Sequence, residues 1–200
     1  IMTRTNDTKP DNLLNPASLY ARSNFARNNY TDLFISIHMN SATSSSARGY
    51  TIHYFNEYSY VLAKQVDVYA KRAYSNSGGQ SNRSQTVHWD PFNVIRLHDC
   101  PAILLECGFM SNNQDLEMLI SDRYQQNLTT ELANSFVEYF KSISDVAEKI
   151  TVIAPGTPTT GTTTGTENTS GAAPSTEAAS STVVLPAGML AMSKRRKRKI

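Results

Sequence analysis

Ala102-Ile103-Leu104-Leu105-Glu106 is the stretch on which the fold turns. Four apolar residues in a row, closed by a carboxylate and then Cys107-Gly108-Phe109, read as a strand buried on both faces, the habit of parallel sheets. Leu33-Phe34-Ile35-Ser36-Ile37 has the same character and ends at His38. Tyr50-Thr51-Ile52-His53-Tyr54-Phe55, rich in β-branched and aromatic side chains, reads as another strand. Phe92-Asn93-Val94-Ile95-Arg96 is expected to be a further short one, after a polar loop that holds His88 and Trp89.

Around these strands the spacing turns helical. Asn15-Pro16 supplies a cap and a first-turn proline for a helix over roughly residues 16–29, with Leu19, Ser23 and Ala26 on one face. A helix over about 58–75 carries Leu62, Val66, Tyr69 and Ala73, and Ser77-Gly78-Gly79 ends it. One helix starts near Asn112-Asn113, and another, from about Ser121, buries Leu128, Leu132, Phe136 and Phe140 at i+4 spacing. Strands alternating with helices predict an α/β fold with a largely parallel, twisted sheet and helices on both faces.

Composition divides the chain of 200 residues. The ten Tyr, seven Phe and single Trp all lie before Lys141, and a segment without large apolar side chains cannot offset the entropy of ordering it. The expected organisation is one domain over 1–145, a Thr/Ser/Gly/Pro-rich disordered linker over 146–182, and a short apolar segment with a basic tail over 183–200. Residues 1–150 carry 13 basic and 15 acidic side chains, residues 151–200 six and two. A near-neutral domain gives no electrostatic case for nucleic-acid binding. Cys100 and Cys107 flank a strand, so their Cα atoms stand roughly 20 Å apart at about 3.3 Å per residue and cannot form a disulfide. They are expected as small buried apolar residues.

His38 and Glu106 each close an apolar strand, and open α/β sheets bind ligands at the carboxyl ends of their strands. A carboxylate behind four apolar residues is partly buried, which calls for a metal, a catalytic role or an arginine partner such as Arg96. For His38 the competing reading is a hydrogen-bonded structural histidine.

Thr3-Arg4-Thr5-Asn6-Asp7, Leu19-x-x-Arg22-x-x-x-Ala26 and Asp32-Leu33-Phe34-Ile35-Ser36-Ile37-His38-Met39-Asn40 closely resemble blocks of the zinc-dependent N-acetylmuramoyl-L-alanine amidases. Arg48-Gly49-Tyr50, Asn82-Arg83, Phe92-x-Val94-Ile95-Arg96 and the run from Pro101 to Asn112 continue the resemblance in order, over about residues 1–143. The resemblance implies hydrolysis of the amide joining the lactyl group of N-acetylmuramic acid to L-alanine in peptidoglycan, at the bacterial cell surface. It implies Zn²⁺ as cofactor with His38 as a ligand, Glu106 as the catalytic carboxylate, and Asn40 and Arg96 on the glycan or stem peptide. The family's other two ligands precede its Thr-Arg block, and nothing stands before Ile1 to supply them. The chain is therefore expected to be truncated before its first strand and helix, to bind zinc weakly and to be inactive alone. Nothing in the spacing promotes His53, His88 or His98 to a ligand; His88 reads either as lining a groove or as a solvated loop histidine. Two rival functions stand beside the amidase: a catalytically inactive wall-binding module of the same fold, and another α/β zinc hydrolase of metallocarboxypeptidase type.

The tail has its own resemblance. Leu185-Pro186-Ala187-Gly188, a short apolar run and the basic residues Lys194 to Lys199 resemble a C-terminal wall-sorting signal, without its threonine and with ten apolar residues where a span needs about 20. The basic run is expected to attract anionic lipid or wall polymer at about 1 kcal/mol per charge.

Overall fold

The computed structural model describes residues 1–3 and 17–152. Residues 1–3 have no regular structure. The expected cap at Asn15-Pro16, the Thr-Arg block from Arg4 onward, and the linker and tail from 153 lie outside the described residues, whereas residues 146–152, expected in the linker, continue the helix Asp122–Val152.

The apolar run that decides the fold is the centre of the sheet. Ala102–Phe109 pairs in parallel with Phe34–Asn40 on one side and antiparallel with Thr51–Tyr54 on the other. A short strand, Val87–Trp89, adds in parallel beyond Thr51–Tyr54. In chain order these strands are β1 (34–40), β2 (51–54), β3 (87–89) and β4 (102–109), and across the sheet they run β1-β4-β2-β3. Two of the three pairings are parallel, so the sheet is mixed, with the antiparallel step at its middle.

Alternation along β4 sends successive side chains to opposite faces. Ile103, Leu105 and Cys107, with Ile52 of β2, meet the larger core. There α2 (Glu57–Asn76) contributes Leu62, Ala63, Val66, Ala70, Ala73 and Tyr74. The same core takes Met118 and Leu119 from α4 (Asn113–Leu119) and Tyr124, Leu128, Leu132 and Tyr139 from α5 (Asp122–Val152). Ala102 and Leu104 face the other way, into a smaller cluster with Phe34, Ala26 of α1 (Ala17–Asn28), and Val94 and Ile95 of α3 (Asn93–Arg96). Helices thus cover both faces, as the alternation of strands and helices predicts.

Two local expectations change. Residues 92–96 form the single turn α3 instead of a strand: the Phe92 carbonyl accepts the N–H groups of Ile95 and Arg96, both at 3.0 Å. Val94 and Ile95, adjacent in sequence, are both buried, which a helical turn allows and a strand with one covered face does not. The polar loop contains β3, too short to show a period. At the ends of α2 and α4 the turn chemistry is as expected, with Asn56 accepting the Ser59 N–H at 3.0 Å and Asn112 accepting those of Gln114 and Asp115, both at 3.1 Å.

Candidate active site

The smaller cluster covers its face of the sheet only as far as Leu104. The next residue of β4 on that face is Glu106, beyond the cover of α1 and α3. The register sets His38 of β1 beside it on one side and Thr51 of β2 on the other. Three polar residues therefore cross the sheet side by side in the carboxyl-terminal half of its central strand; Glu106 and His38 do not close their strands as expected, since β4 continues to Phe109 and β1 to Asn40.

Glu106 is half-buried, and its Oε2 is shielded without a hydrogen-bond partner. Burial pushes its carboxyl above the usual glutamate range, because charge is costly where water is excluded. The arginine-partner reading fails: Arg96 is exposed at the end of α3 and makes no ion pair among the described residues. His38 is exposed, with Nε2 2.9 Å from Ser36 Oγ. Asn40 ends β1; its Oδ1 accepts the Ser41 N–H at 2.8 Å and its carbonyl accepts that of Met110 at 2.8 Å. That side chain holds a turn. Ser111 and Asn112 tie the same loop down, Ser111 Oγ accepting the Ala42 N–H at 3.0 Å and Asn112 Nδ2 donating to the Ser45 carbonyl at 2.7 Å.

Behind Glu106, Asp115 is buried and fully engaged. Its Oδ2 accepts the backbone N–H groups of Gly49 and Phe109, each at 2.9 Å, and its Oδ1 accepts the Tyr74 hydroxyl at 2.5 Å. One carboxylate thus joins the approach to β2, the end of β4 and helix α2.

Sequence reasoning missed the group on the far side of Thr51. His53 stands 2.6 Å through Nδ1 from Asp90 Oδ2 and 3.0 Å through Nε2 from Thr51 Oγ1. Its ring packs against His88 and Phe92, with centroids 5.5 and 5.2 Å away. His88 donates Nε2–H to the Gln85 carbonyl at 3.2 Å. His98 is a core residue, stacked on Phe34 at 4.1 Å and bonded to the Val94 carbonyl at 2.8 Å, with burial lowering its proton affinity.

A carboxyl raised above its usual range by burial thus stands beside a histidine in the carboxyl-terminal half of the central strand, the side on which open α/β sheets bind ligands. The chain belongs to the N-acetylmuramoyl-L-alanine amidase family, whose Amidase_3 model matches residues 1–137. It is 31% identical over 118 residues to a probable cell wall amidase, LytH, of Staphylococcus epidermidis, and 29% identical over 113 to that of Staphylococcus aureus. Those matches take in 58% and 56% of this chain but only 38% and 36% of the relatives. Among solved structures it resembles the catalytic domain of CwlV, an N-acetylmuramoyl-L-alanine amidase from Bacillus (Paenibacillus) polymyxa var. colistinus. The TM-score is 0.61 at 29% identity, covering 70% of this chain and 72% of that one. The CwlD amidase of Clostridioides difficile shares the fold, with a TM-score of 0.60 at 23% identity over 71% of this chain and 75% of that one.

Whether zinc fits can be judged from the donor set. A catalytic zinc takes three protein ligands. Among the described residues no group of three or more His, Cys, Asp or Glu side chains could hold a metal ion. His38 does not make a zinc site with its described neighbours.

Proposed function

We propose that this protein hydrolyses the amide between the N-acetylmuramoyl lactyl group and L-alanine of peptidoglycan, at the bacterial cell surface or wall. The observation that supports it best is Glu106: a half-buried carboxyl with one oxygen unpartnered, in register with His38 on a part of the sheet face that neither α1 nor α3 covers. A carboxylate without donors keeps its affinity for a proton. It takes one from the attacking water as the new C–O bond forms on the amide carbonyl. It then delivers that proton to the departing L-alanine nitrogen as the C–N bond breaks, so the base ends as it began.

Zinc is the cofactor that the family resemblance implies, and His38 is the ligand this chain would contribute. The described residues do not complete that site, and Glu106 is assigned on its own geometry. Arg96, exposed and free of ion pairs among the described residues, is proposed as a contact for the stem-peptide carboxylate or glycan. Asn40 is proposed to meet substrate through the turn that it stabilises.

Glu106→Gln tests the assignment. In protein that releases muropeptides when zinc is supplied, it should lower that release by on the order of 10²–10⁴ with the fold retained. Release at the wild-type rate overturns the base. Metal analysis of His38→Ala is the companion measurement: zinc content equal to that of the unsubstituted protein removes His38 from the ligand set.

A further inference from the structure

We propose that His53, held by Asp90, is a positioning residue for Glu106: it takes the hydroxyl proton of Thr51 and so keeps Thr51 from donating to the Glu106 carboxylate. The inference rests on Glu106 being the base.

Hydrogen-bond polarity runs in one direction along the chain Asp90–His53–Thr51. An ionised carboxylate only accepts, so the 2.6 Å contact to Asp90 Oδ2 places a proton on His53 Nδ1. In the neutral ring Nε2 then offers a lone pair, and the partner 3.0 Å away is the Thr51 hydroxyl, which donates to it. Contacts with His88 and Phe92 hold the ring in place. His53 and Asp90 side chains are 15% and 33% exposed, so the pair is shielded but not sealed off.

Thr51 is 5% exposed and lies directly across the β2–β4 pair from Glu106. Opposed side chains on one face of an antiparallel pair have Cβ atoms about 4.5–5.5 Å apart, within reach of a hydroxyl after one rotamer change. Yet Glu106 Oε2 is buried with no partner. A buried carboxylate oxygen beside a buried hydroxyl would ordinarily draw its proton. Here that proton is already engaged by His53. The arrangement therefore leaves Glu106 Oε2 without the donor nearest to it across the β2–β4 pair.

The test needs neither zinc nor turnover, so its failure would leave the Glu106→Gln experiment as an independent test of the base. In the isotopically labelled chain at fixed neutral pH, ¹⁵N NMR should show His53 protonated at Nδ1 and bare at Nε2. His53→Phe should shift the Glu106 side-chain carboxyl ¹³C resonance as Thr51 turns toward it, and adding Thr51→Val should return that resonance toward its original position. A merely structural histidine would leave Thr51→Val without this restoring effect. Should His53→Phe fail to fold, Asp90→Asn is the second variant. Its amide can present a donor to Nδ1, moving the ring proton to Nε2 and the Glu106 resonance in the same direction. A proton on Nε2 in the unsubstituted chain overturns the proposal. So does a Glu106 resonance that ignores the loss of the ring or of Asp90, or one that Thr51→Val does not restore.

Discussion

Replacing Asp115 by alanine should remove a large share of the domain's stability, because three buried donors lose their acceptor at once. Asp115 is 2% exposed and takes hydrogen bonds from Gly49 N–H, Phe109 N–H and Tyr74 O–H. A buried donor left unpaired costs about 1–3 kcal/mol, and partial relaxation keeps three of them to roughly 3–5 kcal/mol in sum. At about 3–5 °C per kcal/mol for a domain of this size, the melting temperature should fall by roughly 10–20 °C. Asp115→Asn is the control. With its oxygen toward the two backbone N–H groups and its amide toward Tyr74, it keeps most of the pattern and loses the charge, costing about 1–2 kcal/mol. Thermal unfolding followed by far-UV circular dichroism gives the ranking, and amide exchange at Gly49 and Phe109 reports the two backbone bonds. An alanine variant that melts within about 3 °C of the unsubstituted chain, or an asparagine variant that is the worse of the two, would refute the reasoning.

Gly49→Ala should cost about 1–3 kcal/mol in urea denaturation. Its φ is +114°, and an added Cβ would stand 2.2 Å from Ser81 Oγ, so an unchanged midpoint would contradict this geometry. Neither cysteine should react with a thiol reagent in the folded chain: Cys100 and Cys107 are 5% and 2% exposed, burial raises both, and Cys107 is pushed up to about 12. Both should label promptly in denaturant, and native-state labelling would show that β4 or the loop before it opens. Deleting residues 153–200, poor in large apolar side chains, should leave the melting temperature within about 2 °C. The same deletion should weaken retention on anionic vesicles, more so at low salt than at high.

Elements that bury a continuous face were legible from sequence. The run at 102–105 is a strand covered on both faces, the run at 34–37 is a strand in which Phe34 is buried but Ile37 is 54% exposed, and the i+4 stripe from Leu128 to Phe140 is α5. What the sequence does not show is pairing sense. In β2, Ile52 belongs to the large core while Thr51 and His53 bond to each other, a polar face alternating with an apolar one. That pattern suits a strand lying antiparallel beside β4, whereas its apolar neighbours suit a parallel sheet. Segments of three to five residues, β3 and α3, carry no period that could separate strand from turn; in α3 it is the burial of two adjacent residues that decides.

The site divides along the same line. Glu106 and His38, the proposed base and ligand, could be singled out because each interrupts an apolar run at its carboxyl end, a local signal. His53, Asp90 and Thr51 could not, since His53 and Asp90 stand 37 residues apart and meet only because β3 adds beside β2. Arg96 falls on the other side of the same distinction: its nearness to the Glu106 block in sequence suggested an ion pair, and the turn of α3 carries it to the surface instead. Among the described residues no other cation forms an ion pair with the Glu106 carboxyl. An arginine against Glu106 would have satisfied the carboxylate and held its proton affinity down. With Arg96 turned away and the Thr51 proton engaged by His53, the carboxyl left poorly satisfied is the one proposed as the base, a role that needs an unsatisfied oxygen.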